Sequence, residues 1–206
     1  KKITPIKSNS NIRKIMELPI YKLVINPEDE DTGVEFVALV NTPAIERNFH
    51  AFKSQKFTAD DEKRIVIGPL MIPDQLIYRR DNSFGEYYVT YDAEMVKKIA
   101  EKFMRNQNSN NVNKEHKDQV DGVFMFETFL KDSSRGISAP NGFEDLPEGT
   151  WFGSYKVYND EVWKDVKDGT FKGFSVEGEF LHQPHTMNFG KNVELTALLD
   201  EIISLL

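Results

Sequence analysis

Ser175 stands in Phe171-Lys172-Gly173-Phe174-Ser175-Val176-Glu177-Gly178-Glu179-Phe180, where apolar and polar residues alternate. The alternation predicts a β-strand with Phe174, Val176 and Phe180 on one face and Ser175, Glu177 and Glu179 on the other. A hydroxyl held on the solvent-open face of an anchored strand can act as a nucleophile, provided that a base reaches it. His116, in Asn113-Lys114-Glu115-His116-Lys117, is the candidate base. Together the two would make the chain a serine hydrolase. Their separation along the chain decides nothing, because such groups are assembled by geometry rather than order. A strand serine and a histidine in a charged turn are also ordinary surface features, so the pair needs a third group to support it.

Glu127 is one candidate for that group. It lies within the apolar run Val123 to Leu130, where an unpaired carboxylate would be costly. It can orient a histidine, or pair with Arg79, Arg80 or Lys172 as structural glue. Glu177 shares the expected face of Ser175, and Glu35 is a weaker third choice. His182 and His185 bracket Pro184; two histidines three apart can share a metal, but no carboxylate stands near in sequence to complete the set. The acidic turn Asn26 to Gly33 reads as a solvated loop, since its spacing is not that of an EF-hand. There is no G-x-S-x-G elbow, no Walker loop and no dinucleotide fingerprint.

The elements that must position these residues follow from periodicity. Strands are expected at Tyr21 to Ile25 and Val34 to Val40. Ile65 to Pro73 reads as a strand bent or placed at an edge by Gly68-Pro69. Leu76 to Arg79 and Glu86 to Tyr91 form a hairpin. Asp92 caps a helix from Ala93 to Arg105, with Met95, Val96, Ile99 and Phe103 in one stripe. Val123 to Leu130 reads as a strand buried on both faces, followed by a long loop and a strand from Trp151 to Tyr158. A short helix from Asn159 to Asp168 precedes the serine strand. His182 to Asn192 reads as loop, and 193–206 as a closing helix. Without regular strand–helix alternation, this predicts an α+β fold: a mostly antiparallel β-barrel flanked by about three helices. Residues 1–18 form an arm, and 19–206 a single domain.

Composition bounds the rest. The chain has 206 residues, 39% hydrophobic and 12% aromatic, enough for one core. A net charge of −7 argues against general nucleic-acid binding. No run reaches transmembrane length, and no signal segment opens the chain. With no cysteine, disulfides, thiolate metal sites and cysteine nucleophiles are excluded.

The order of several segments carries a resemblance. Val37 to Phe49 comes first, then Gly68 to Pro73 with Ile77-Tyr78-Arg79, Gly85 to Val89 and Asn113 to His116. Phe126 to Phe129, Pro147 to Trp151 and Gly173 to Gly178 follow. This ordered set, over about residues 20–181, resembles the XkdF-like serine proteases of tailed phages. The resemblance implies a prohead protease related in fold to herpesvirus assemblin. Such enzymes act in the host cytoplasm, inside the immature capsid, and cleave scaffold and capsid proteins during maturation. The implied roles are Ser175 as nucleophile, His116 as base and Glu127 as acid, with Glu177 next; the assemblin branch uses a second histidine after the serine instead, where His182 and His185 stand. No cofactor, metal, nucleic acid or membrane is implied. A homodimer through the terminal helix is an expectation of the assemblin likeness. The alternative is a catalytically inactive, peptide-binding barrel associated with capsid or scaffold.

Overall fold

The computed structural model describes residues 18–41, 58–60, 63–82 and 85–185. Strand-forming segments dominate it. In chain order they are β1 (Ile20–Val24), β2 (Gly33–Val40), β3 (Thr58–Asp60), β4 (Ile65–Met71), β5 (Ile77–Asp81) and β6 (Gly85–Thr90), then helix α1 (Ala93–Arg105). After these come β7 (Val112–Lys114), β8 (Asp118–Gln119), β9 (Val123–Leu130), β10 (Trp151–Val157), helix α2 (Asp160–Lys167), β11 (Gly173–Glu179) and β12 (Leu181–His185).

The strands form three open four-stranded sheets, ordered β12-β1-β6-β5, β3-β4-β10-β9 and β11-β2-β7-β8. Most pairs are antiparallel, but β1 with β6 and β2 with β7 are parallel. The expected closed barrel with about three helices is therefore incorrect. Among the described residues there are two α-helices, and each sheet ends in edge strands. Local alternation predicts strands but does not encode the long-range pairing that closes a barrel. The expected helix over 193–206 and nearly all of the arm over 1–18 lie outside the described residues.

α1 matches its expected bounds for clear reasons. The Asp92 carboxylate accepts the Met95 N–H at 2.8 Å as an N-cap. Val96, Ile99 and Phe103 are almost wholly buried, each contributing about 1.5–3 kcal/mol of burial. Phe103 meets Trp151 of β10 edge to face at 5.4 Å. The same helix carries a buried cation. The Lys102 ammonium donates to the carbonyls of Asn26, Asp29 and Thr32. The acidic turn expected to be a plain solvated loop is thus wrapped around a lysine, which fixes the start of β2.

Two other expectations change. β9 is an edge strand, with Phe126 exposed, rather than a strand buried on both faces. His182 to His185, read as loop, belong to β12 (Leu181–His185), which pairs antiparallel with β1. Among the described residues β3 pairs only with Ile65 to Ile67 of β4, so Pro69 has no strand neighbour on that side there.

The register of β11 on β2 positions the serine strand. Ser175 pairs with Ala38 and Glu177 with Phe36, but Gly178 pairs with Val34, so Glu35 is an extra residue in a β-bulge. At the bulge the backbones approach so closely that a Cβ on Gly178 would lie 1.8 Å from the Gly33 carbonyl oxygen.

Two substitutions test this framework. Lys102→Met should destabilise the fold by about 2–4 kcal/mol in denaturant titration, because three carbonyls lose their donor. Gly178→Ala should cost about 2 kcal/mol or more, by forcing the bulge apart.

Candidate active site

β2 is the floor of the site. Ser175 on β11, Ala38 on β2 and Asn113 on β7 are consecutive partners across the sheet, so all three side chains share one face. Ala38 is fully buried, and its single methyl leaves room above it for its neighbours to approach. Glu177 lies two residues along β11 on that same face, before the bulge begins. Bulges beside functional sites commonly re-aim a side chain. Here the bulge follows immediately after the carboxylate.

His116 is placed by the turn between β7 and β8. The Lys117 N–H donates to the Lys114 carbonyl at 2.9 Å. The two central residues, Glu115 and His116, have φ of +49° and +60°. Such left-handed conformations cost non-glycine residues about 1–2 kcal/mol each, and strain of this kind concentrates at functional sites. The Glu115 carboxylate ties the turn down by accepting the Asn41 N–H at 2.6 Å.

From this turn His116 Nδ1 reaches Glu177 Oε2 at 3.1 Å. The same oxygen accepts from Asn113 Nδ2 at 2.9 Å. Asn113 is buried, and its own Oδ1 has no hydrogen-bond partner among the described residues. Burial works to raise the Glu177 carboxyl. The hydrogen bonds from Asn113 and His116, with the imidazole charge, outweigh it and hold the carboxyl below its ordinary value. A carboxylate on Nδ1 favours the tautomer that carries its proton there, leaving Nε2 free to accept one.

Ser175 is less open than its strand pattern suggests. It is 8% exposed, and among the described residues its hydroxyl makes no hydrogen bond. It shares its face with Glu177, the partner of His116, without being hydrogen-bonded to the imidazole in this conformation. Same-face neighbours in a strand are separated by about 6.6 Å. An imidazole held by one such neighbour can span to the other.

Glu127 stands elsewhere. It lies on β9, opposite Ser154 of β10, in a different sheet from Ser175. It is exposed and makes no ion pair or hydrogen bond among the described residues. The carboxylate that meets His116 is Glu177. Glu35 is exposed at the bulge. His182 and His185, three apart on a strand, face opposite sides of β12. His182 packs edge-on against Tyr21 and Tyr87. No group of three or more metal-ligating side chains occurs among the described residues. Asn113 was missed as a site residue in its own right. Its one signal was a short polar side chain next to Val112 in a segment that becomes a central strand.

The linkage sign follows from the lowered Glu177 carboxyl. Its contribution to stability is complete above the unfolded-state value and is lost as pH falls through the lower folded-state value. Asn113→Ala should raise the Glu177 pKa, read from the side-chain carboxyl carbon in an NMR titration. An unchanged titration would mean that Asn113 does not hold the carboxylate.

The family model described as Putative phage serine protease XkdF matches residues 54–181, more than half of the chain. No curated protein and no solved structure matches significantly. The matched stretch contains His116, Glu177 and Ser175. By that match the chain belongs to this family of phage serine proteases.

Proposed function

We propose that the protein is a serine endopeptidase of prohead maturation, with Ser175 as nucleophile, His116 as general base and Glu177 as the acid. The observation that carries the reading is the His116 Nδ1–Glu177 Oε2 contact at 3.1 Å on the face that bears Ser175. Its substrates are scaffold and capsid proteins inside the immature capsid in the host cytoplasm, as its family suggests.

The chemistry runs as follows. A small rotation brings Nε2 of His116 to the Ser175 hydroxyl. Catalytic hydrogen bonds are often long before substrate binds. As Oγ attacks the scissile carbonyl carbon, Nε2 takes the hydroxyl proton and Glu177 balances the imidazolium charge. The same proton passes to the leaving amine as the C–N bond breaks, and a water repeats the cycle on the acyl-enzyme.

Backbone alternation suggests where the peptide lies. The Val37 N–H donates to Asn111, and the Leu39 carbonyl accepts from Glu115. Both residues thus face β7, so the Ala38 backbone faces Ser175. By the same alternation Val176 turns its N–H and C=O groups to the edge of β11 that no strand pairs among the described residues. An extended peptide can add there as a strand, and the Val176 N–H is the candidate oxyanion donor. The loop from Ser134 to Gly142 is a poorer source, because its Arg135, Gly136, Ile137 and Gly142 N–H groups already donate to Asp132, Ser133 and Glu144.

A second reading has one observation in its favour. The burial of Ser175, without a hydrogen bond to His116, also suits an inactive peptide-binding protein of the capsid or scaffold.

Co-expression with the scaffold and capsid proteins separates the two. Ser175→Ala should abolish fragment formation in mass analysis while leaving thermal unfolding unchanged. Glu177→Gln should lower kcat/KM by about 10²–10⁴-fold, whereas Glu127→Gln should stay within about twofold of wild type. The reverse order would restore Glu127 as the acid. Unchanged cleavage by Ser175→Ala would remove the serine mechanism.

A further inference from the structure

β5 carries a cation on a row of apolar residues. Ile77 and Arg79 share a face, and their partners on β6 are Val89 and Tyr87. Ile77, Val89 and Tyr87 all belong to the main core. Arg79 is half-buried there, and among the described residues its guanidinium has one hydrogen bond, to its neighbour's carbonyl, Tyr78 O, at 3.2 Å. No carboxylate pairs with it among the described residues. A guanidinium drawn toward a core normally has an acid to meet.

The surroundings of Arg79 make this informative. It lines a narrow cleft of about 20 Å³ together with Ser175, Tyr91 and Val176. It also lines a wider cleft of about 290 Å³, walled by Tyr87, Tyr91, Val176, Phe180 and His182. Arg79, Tyr91 and Val176 are common to both, so the two clefts adjoin at these residues. Burial pushes the Tyr91 phenol up to about 12, against the opposing pull of the Arg79 charge. Residues of β11, an edge strand among the described residues, line both clefts. Side chains of a peptide lying on that edge alternate between the two faces of the sheet. The residue beside Ser175 faces outward, and its neighbour beside Val176 faces Arg79.

We infer that this cleft is a substrate subsite for an acidic side chain, whose carboxylate pairs with Arg79 between aromatic walls. The inference rests on the proposed peptidase reading for its peptide, and it adds the chemical class of the residue selected. Planar guanidinium and carboxylate groups match in a two-point contact. Apolar walls strengthen that contact by excluding water. Two acids also line the wider cleft. Glu177 is committed to Asn113 and His116. Glu179 is exposed at the end of β11 and opposes an incoming carboxylate from the rim.

The test uses the full chain carrying Ser175→Ala, so that peptide is bound and not cut. Blocked peptides, identical except for one scanned position occupied by Glu, Gln or Lys, are titrated against it. At one position Glu should bind at least about tenfold more tightly than Gln, and Lys should be weakest. Adding Arg79→Gln should erase that preference, and adding Arg79→Glu should turn it toward Lys. Thermal unfolding establishes that each variant is folded, and Arg79→Lys, with partial retention of the preference, serves if Arg79→Gln is not. Equal binding of Glu and Gln peptides, the same ranking in Arg79→Glu, or no binding of any peptide would overturn the inference. Cleavage by the unmutated chain is read separately. Its absence would strike the serine mechanism, while an Arg79-dependent preference in the binding assay would still stand.

Discussion

Everything at the site turns on how one carboxylate is held. Glu177 Oε2 receives Asn113 from β7 and His116 from the turn that follows it. Its position is set by a parallel pairing of β2 with β7 and an antiparallel pairing of β2 with β11. Neither pairing is local in sequence. Loss of either would separate the acid from the imidazole without altering any residue of the site. Because Asn113 is buried, the carboxylate meets a donor that cannot swing away into solvent. The second bond, to the imidazole, then meets an acid that is already held in place.

The surrounding fold supports that arrangement at some cost to itself. The β7–β8 turn accepts two left-handed residues in order to deliver His116. The β2–β11 bulge tolerates only a glycine at 178, because the opposing carbonyl occupies the space of a Cβ. Lys102 anchors the start of β2 through three loop carbonyls, next to the same bulge. These features have no shared sequence motif. They are connected because each fixes an end of β2, the strand on which both ladders are built.

Much of the local structure was legible in the sequence. α1 was readable to its ends because a 3.6-residue stripe and an Asp92 cap agree. The serine strand was readable because its alternation is strict up to Gly178. β12 was hidden because an edge strand exposed throughout has no burial pattern, and Pro184 argues against a strand. β9 misled in the opposite sense. Its apolar run suggested burial on both faces, and this made Glu127 look like an unusual buried acid. Placed at a sheet edge, the same residue is an ordinary solvated carboxylate. Glu177, the carboxylate that contacts His116 in the structure, was visible as a same-face neighbour of Ser175. Choosing it required knowing which strands pair, and that information lies in tertiary contacts. The closed barrel failed for the same reason.

The central claim is that the Ser175 hydroxyl is activated by an imidazole which Glu177 orients. Reaction with a fluorophosphonate, followed by peptide mass mapping, tests this without any assumption about substrate. The account predicts a single adduct on Ser175, formed in wild type and slowed by orders of magnitude in both His116→Gln and Glu177→Gln. An adduct on another serine, or a Ser175 adduct formed equally fast without His116, would contradict it.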